Sequence, residues 1–81
     1  MTNLALYYGP TCPFCIKVID HIEANNLVVE LRNKESHPEY GKELIAATGK
    51  GMVPCLRITS DSEDTWLHES SDIVAYLKGN H

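Results

Sequence analysis

Short apolar runs alternate along the chain with stretches in which apolar residues recur every three or four positions. Runs of about four to eight residues rich in β-branched and aromatic side chains are typical of strands, whereas the longer repeat is typical of amphipathic helices. The pattern predicts four strands, at residues 4–8, 27–31, 53–58 and 65–68. It predicts three helices, over residues 13–24, between Ser36 and Gly49, and between Ser70 and Gly79.

Turn and capping residues support the second helix in particular. Ser36 and Glu39 have the spacing of a capping box, and Pro38 is suited to the first turn of a helix. Gly49 is suited to the position just past the last turn. The sequence therefore predicts both ends of this helix.

The predicted order of elements is β-α-β-α-β-β-α. The first two strands, joined through a helix, are expected to be parallel with a right-handed crossover, and the last two form an antiparallel hairpin. We therefore expect an α/β fold with a four-stranded mixed sheet flanked by three helices. Cys12 and Cys15 follow the carboxyl end of the first predicted strand, where such sheets bind their ligands.

Length and charge exclude several classes of function. The chain has 81 residues, with 7 basic and 11 acidic side chains and a formal net charge of −4. We interpret residues 1–81 as a single domain, and the scarcity of basic residues argues against binding to nucleic acid. No apolar run approaches the roughly 20 residues that span a bilayer, and the first residues do not resemble a signal peptide. We therefore expect a cytoplasmic protein with no membrane partner.

The cysteines indicate redox chemistry. Cys12 and Cys15 form a C-x-x-C sequence, and Pro13 places Cys12 near the N-cap of the first predicted helix. Unpaired backbone N–H groups and the positive end of the helix dipole stabilise a thiolate at that position. Cys12 is therefore the expected nucleophile. Cys15, one turn further and facing the sheet, is the expected resolving thiol in thiol–disulfide exchange.

Other uses of these cysteines fit less well. A structural zinc site needs about four ligands, and the chain offers in addition only Cys55 and 4 scattered histidines. We therefore expect no bound metal and assign the histidines no role. A static disulfide is disfavoured in a reducing compartment. Cys55 follows a proline on the third predicted strand and is interpreted as a small buried apolar residue.

Three segments resemble a known family. Residues 8–15, with the sequence YGPTCPFC, look like the active-site segment of dithiol glutaredoxins. Residues 52–54 resemble the second glutaredoxin signature, which contains a cis proline facing the cysteines. Residues 69–73 lie where the family has its third glutathione-binding loop. Glu69-Ser70 followed by the sequence DIVAYL also resembles transferase-like glutaredoxins and the N-terminal domain of glutathione transferases.

This resemblance covers essentially the whole chain and implies a thioredoxin-like fold. It implies a glutathione-dependent thiol–disulfide oxidoreductase that reduces protein–glutathione mixed disulfides and protein disulfides through Cys12 and Cys15. Its partners would be glutathione, as co-substrate, and glutathionylated or disulfide-containing proteins; we expect no bound cofactor and a monomer. The glutathione-binding residues implied by the family are Tyr8, Phe14, Val53, Pro54, Glu69, Ser70, Ser71 and Asp72.

The chain departs from the family at two places. Many glutaredoxins have a lysine three residues before the first cysteine, where this chain has Gly9. Arg32 and Lys34 are the nearest candidates to supply the missing charge, and the alternative is that both are solvated surface residues. In addition, His68-Glu69 replaces the Gly-Gly pair that precedes the third loop.

Alternative functions remain open at the level of the sequence. A redoxin reduced by thioredoxin reductase would share the C-x-x-C sequence without needing the loop at residues 69–72. A non-catalytic module that binds glutathione, or an iron–sulfur cluster through Cys12, is the third possibility. Dependence on glutathione and the colour of the purified protein distinguish these functions.

Overall fold

The computed structural model describes residues 2–61 and 63–79. Its seven elements follow the predicted order β-α-β-α-β-β-α. They are β1 (Thr2–Tyr8), α1 (Pro13–Ala24), β2 (Glu30–Asn33), α2 (Pro38–Thr48), β3 (Cys55–Ser60), β4 (Glu63–Leu67) and α3 (Ser70–Gly79).

The four strands form one mixed sheet in the order β2-β1-β3-β4. The β1–β2 pair is parallel, whereas β3 is antiparallel to both β1 and β4. The predicted crossover and the predicted hairpin are therefore both present. β1 lies in the interior of the sheet, between β2 and β3. β2 ends, and β3 begins, beside the carboxyl end of β1.

Alternate side chains of β1 supply two separate cores. Leu4 and Leu6 face a cluster that also includes residues of α1, β3 and α3, such as Val18, Leu56 and Ile73. Ala5 and Tyr7 face the other side of the sheet, where the cluster is completed by Leu44 of α2 and by Cys55. Because side chains of a strand point alternately to opposite faces, one short strand holds helices on both sides of the sheet.

Several strand boundaries differ from the prediction. β2 begins at Glu30 instead of Leu27, because pairing with β1 starts where Ala5 meets Glu30. Leu27 and Val29 pack against the core from the preceding loop, and Val28 is 89% exposed. Leu27 and Val29 are thus partly buried at alternate positions, as residues of a strand are, although this segment forms no backbone pairing with β1. β3 begins at Cys55, two residues later than predicted, and β4 begins at Glu63, two residues earlier.

The start of α2 also differs from the expected capping box. His37 is the N-cap, and no side chain caps the helix there. The turn is instead stabilised by Asn33, whose Oδ1 accepts hydrogen bonds from the backbone N–H groups of Glu35 (2.9 Å) and Ser36 (3.3 Å). At the other end, Gly49 has a φ of 78° and donates its N–H to the Ile45 carbonyl, as predicted for the residue that ends this helix.

A polar cluster attaches α2 to the sheet beside a single buried apolar side chain. Leu44 is the buried residue of α2. Next to it, Glu43 accepts hydrogen bonds from the hydroxyl of Tyr7 and from Arg32, whose Nη1 lies 2.8 Å from Glu43 Oε1. Burial and the neighbouring carboxylate of Glu43 together raise the pKa of Tyr7 above its ordinary value. The position of α2 therefore depends on few contacts.

We expect Leu44→Ala to lower the free energy of unfolding by about 2–5 kcal/mol, because it removes the buried side chain of α2 and leaves a cavity. The neighbouring Ile45→Ala is the matched control, since Ile45 is 54% exposed; its effect should be within about 0.5 kcal/mol. Urea unfolding followed by circular dichroism measures both. Equal losses for the two variants would contradict the packing of α2 described above.

Candidate active site

The predicted site residues lie on or directly beside the segments that meet at one edge of the sheet. Tyr8, the last residue of β1, is paired with Asn33, the last residue of β2. Tyr7 is paired with Cys55, the first residue of β3. Leu67, at the end of β4, is paired with Leu56. The register therefore places the segments after β1, β2 and β4 and the segment before β3 at the same edge.

The segment after β1 turns directly into α1. Cys12 donates its backbone N–H to the Gly9 carbonyl at 3.2 Å, and the Cys12 carbonyl accepts the N–H of Ile16 at 3.0 Å. Cys12 is the N-cap of α1, with extended backbone angles and with Pro13 in the first turn, as predicted. No side chain caps this helix, and its first turn contains no acidic residue. The N–H groups of the first turn are thus available to the Cys12 sulfur.

The Cys12 thiol ionises more readily than an ordinary cysteine. Its partial burial favours the neutral thiol, but hydrogen bonds to the sulfur outweigh this effect and lower its pKa. The donors are the backbone N–H of Cys15, the thiol of Cys15 and the backbone N–H of Phe14, and the positive charge of Lys34 adds to them. This is the environment of a nucleophilic thiolate.

Cys15 has the opposite character, although it lies one turn away. Its side chain is completely buried, and this desolvation raises its pKa to about 11. Its sulfur accepts the backbone N–H of Gly9, while its thiol donates to Cys12 and its pKa is raised further by the Cys12 charge. The two cysteines are therefore a partly exposed, acidic thiol and a buried, neutral one in direct contact.

Cys55 lies on the α2 side of the sheet and is buried, as expected. Desolvation raises its pKa to about 11. All three cysteines are free thiols in this structure. Cys55 therefore has neither the exposure nor the ionisation of a nucleophile.

The residues of the 8–15 segment and of the loop before β3 differ in exposure. Phe14 is 61% exposed, and Met52, on the loop before β3, is 56% exposed. Tyr8 is half-buried and packs against the core formed with α1 and α3. The Val53–Pro54 peptide bond is cis, which confirms the expectation from the family. Pro54 is buried, and Val53 packs against the cluster on the α2 side.

The third loop leads directly into α3. α3 begins at Ser70, and the Glu69 carbonyl accepts the N–H of Ile73 at 2.9 Å. Glu69, Ser71 and Asp72 are exposed and Ser70 is half-buried, so this helix end is open to solvent. Binding of glutathione by these residues stays a prediction, as it does for Tyr8, Phe14, Val53 and Pro54.

His68, which directly precedes this loop, is not an exposed surface histidine. His68 is half-buried, and its Nδ1 is buried with no hydrogen-bond partner among the described residues. Sequence reasoning assigned this histidine no role. In the sequence, His68 is marked only by its position before Glu69, where the two residues replace the Gly-Gly pair of the family.

Arg32 and Lys34, the two candidates for the missing charge, have different partners. Arg32 donates to the hydroxyl of Tyr7 at 2.6 Å and forms ion pairs with Glu30 and Glu43, so it belongs to the polar cluster under α2. Lys34 instead lies at the site edge and acts electrostatically on both Cys12 and Cys15.

The amino-acid sequence also identifies the family. The model of the family described as "Glutathione S-transferase, N-terminal domain" matches residues 6–81. The chain belongs to this family. Membership connects it with glutathione chemistry and confirms the resemblance of Glu69-Ser70 and the following helix to transferase N-terminal domains. A comparison with curated proteins found no match.

Solved structures of low sequence identity share the fold. Maleylacetoacetate isomerase from Anaeromyxobacter dehalogenans, described with bound GSH in its active site, has a TM-score of 0.75 at 21% identity over 99% of this chain. A delta-class glutathione transferase from Nilaparvata lugens has a TM-score of 0.69 at 26% identity over 95% of this chain. Glutaredoxin from Brucella melitensis has a TM-score of 0.61 at 18% identity over 99% of this chain.

The chain covers 83% of the glutaredoxin, but only 38% of the isomerase and 35% of the transferase. These likenesses confirm the predicted thioredoxin-like fold.

Within residues 2–61 and 63–79, none of the helices is long and apolar enough to cross a bilayer. No three histidine, cysteine or carboxylate side chains converge there as they do in a metal site.

We predict that the three cysteines react with iodoacetamide in a fixed order. The thiolate is the reactive form, and the lowered pKa of Cys12 gives it a larger thiolate fraction than an ordinary cysteine has at the same pH. At about pH 7, Cys12 should be alkylated well before the other two, whose rates should rise only as the pH approaches about 11. Peptide mass spectrometry measures each rate.

The unfolded chain is the control for this experiment. In concentrated guanidinium chloride the three cysteines should react at similar rates, because the helix N-terminus and the buried environments are lost. Alkylation of Cys15 or Cys55 as fast as Cys12 in the native protein would contradict the assigned environments.

Proposed function

We propose that this protein is a glutathione-dependent thiol–disulfide oxidoreductase of the glutaredoxin type. The observation that carries the proposal is the contrast between Cys12 and Cys15, which lie one helical turn apart with pKa values displaced in opposite directions. One thiol ionises more readily than an ordinary cysteine and is therefore the better nucleophile. The other stays protonated until a disulfide forms next to it. Membership of the transferase N-terminal domain family supports glutathione as the co-substrate.

With a protein–glutathione mixed disulfide, the Cys12 thiolate attacks the glutathione sulfur. The Cys12–glutathione disulfide forms, and the protein leaves as a thiolate. A second glutathione thiolate then attacks the glutathione sulfur of that intermediate. This step releases oxidised glutathione and regenerates the Cys12 thiolate. The hydrogen bonds from the N–H groups of Phe14 and Cys15 favour Cys12 as the leaving thiolate.

With a protein disulfide, Cys12 attacks one sulfur and the second sulfur of the substrate leaves as a thiolate. Cys15 then attacks the Cys12 sulfur, and its proton passes, through solvent, to the substrate sulfur that it displaces. The products are the reduced substrate and a Cys12–Cys15 disulfide. Two glutathione molecules reduce this disulfide and become oxidised glutathione.

The glutathione groove, in this proposal, lies between the cis-proline loop and the start of α3. The backbone of Val53 would pair with the cysteinyl part of glutathione as an added strand does. The γ-glutamyl carboxylate would bind at the N-terminus of α3, where backbone N–H groups and the helix dipole favour an anion. Phe14, exposed beside Cys12, would cover the disulfide together with Tyr8.

Cysteine variants test this division of roles. Cys12→Ser should abolish reduction of both substrate types, because serine does not supply the attacking thiolate. Cys15→Ser should retain reduction of a small glutathionylated disulfide and lose reduction of protein disulfides, since only the latter needs a resolving thiol. Oxidation of NADPH by glutathione reductase measures turnover. Cys55→Ser is the control and should retain both activities.

The same assay separates the alternatives. Turnover with thioredoxin reductase but not with glutathione would replace the proposal with a thioredoxin-coupled redoxin. Loss of both reactions in Cys15→Ser would show that Cys15 is not only a resolving thiol.

We predict that Glu69, and not Asp72, pairs with the γ-glutamyl amino group, because the matched family is the one in which the Glu-Ser pattern occurs. Glu69→Gln should raise the KM for glutathione about tenfold or more, as expected for loss of a charged hydrogen-bond partner. Asp72→Asn is the matched control on the first turn of α3 and should change the KM less. Steady-state kinetics with varied glutathione measures both, and the reverse ranking would assign the contact to Asp72.

A further inference from the structure

A side chain at position 9, where many glutaredoxins carry a lysine, would contact two neighbouring loops. Gly9 is buried, and a Cβ atom at this position would lie 3.2 Å from Glu35 Oε2 and 3.7 Å from Val53 Cγ2. The loop after β2 and the loop before β3 therefore border the side-chain space of position 9. A lysine introduced here would begin beside the carboxylate of Glu35.

Lys34 reaches the same place from the neighbouring strand. Its backbone N–H donates to the carbonyl of Tyr8 at 3.1 Å, which places Lys34 directly beside the end of β1. Its Nζ donates to the carbonyl of Gly51 at 2.8 Å, on the loop before β3. Because β1 lies between β2 and β3 in the sheet, the side chain must cross the end of β1. The crossing brings the ammonium group to the start of the 9–15 segment.

We propose that Lys34 is a positioning residue that adds to the stabilisation of the Cys12 thiolate by the start of α1 and that it replaces the cation absent at Gly9. The proposal rests on the proposed role of Cys12 as the nucleophile. The Gly51 carbonyl holds the ammonium group, and Gly51 is three residues before Pro54. The hydrogen bond from Lys34 to Gly51 therefore links the charge that acts on Cys12 to the loop that would bind glutathione.

The charges around the site support this role. Lys34 lowers the pKa of both Cys12 and Cys15, in addition to the larger effects of burial and of hydrogen bonds. Its side chain is half-buried, so solvent screens its charge less than that of an exposed lysine. Arg32 is engaged by Glu30 and Glu43, and the carboxylate of Glu35 lies against Gly9.

The test is the pH profile of Cys12 alkylation by iodoacetamide in the full chain, followed by peptide mass spectrometry. Lys34→Gln removes the charge, and its profile should move to higher pH, with alkylation at about pH 6 slower by roughly threefold or more. Lys34→Arg keeps the charge and should resemble the wild type. Lys42→Gln is the matched control, because Lys42 is an exposed lysine on α2, and its profile should not move.

Three results would overturn the proposal. They are an unchanged profile for Lys34→Gln, an equal displacement for Lys34→Gln and Lys34→Arg, and an equal displacement for Lys42→Gln. Urea unfolding of each variant separates loss of charge from loss of structure. If Lys34→Gln does not fold, Lys34→Met takes its place, because it also removes the charge and keeps most of the side-chain length: its profile should move to higher pH, and an unmoved profile would overturn the proposal.

This experiment uses no glutathione, so it is independent of the proposed function. A displaced profile for Lys34→Gln supports the role of Lys34 even if the wild type shows no glutathione turnover, in which case only the proposed function fails. An unchanged profile in an enzyme that turns over glutathione would overturn the role of Lys34 alone.

Discussion

The hydrogen bonds at the N-terminus of α1 are the interaction on which the chemistry of this protein depends. Pro13 starts the helix, and the N–H groups of Phe14 and Cys15 are directed at the sulfur of Cys12 because no side chain caps this helix. One turn further, Cys15 faces the interior and loses its contact with water. A single helical turn thus gives two chemically identical thiols opposite tendencies to ionise.

The sheet supplies the support for this turn. β1 directs alternate side chains into two cores, and its carboxyl end adjoins the end of β2 and the start of β3. The segment after β2 and the segment before β3 are therefore anchored to the same strand as the 9–15 segment. Lys34, just after β2, illustrates the result. Its side chain donates a hydrogen bond to the carbonyl of Gly51, on the loop that leads into β3.

The helix α2 is held differently from α1 and α3. One buried leucine, together with the polar cluster of Tyr7, Arg32 and Glu43, attaches it to the sheet, whereas α1 and α3 share a larger apolar core. α2 leads into the loop that carries Gly51 and the cis-proline bond. The side of the site proposed to bind glutathione thus depends on a small number of contacts, several of them polar.

The sequence by itself determined the order of the elements, the position of Cys12 at a helix start and the end of α2 at Gly49, because these depend on local spacing and backbone preference. It did not determine where β2 begins, since Leu27 and Val29 are buried without pairing and only the register with β1 distinguishes the two cases. It also left Arg32 and Lys34 equivalent, because both follow the same predicted strand. Only the tertiary structure separated them: Arg32 lies within β2 and bonds to Glu43 of α2, whereas Lys34 lies just past the end of β2 and bonds to Gly51 on the loop before β3.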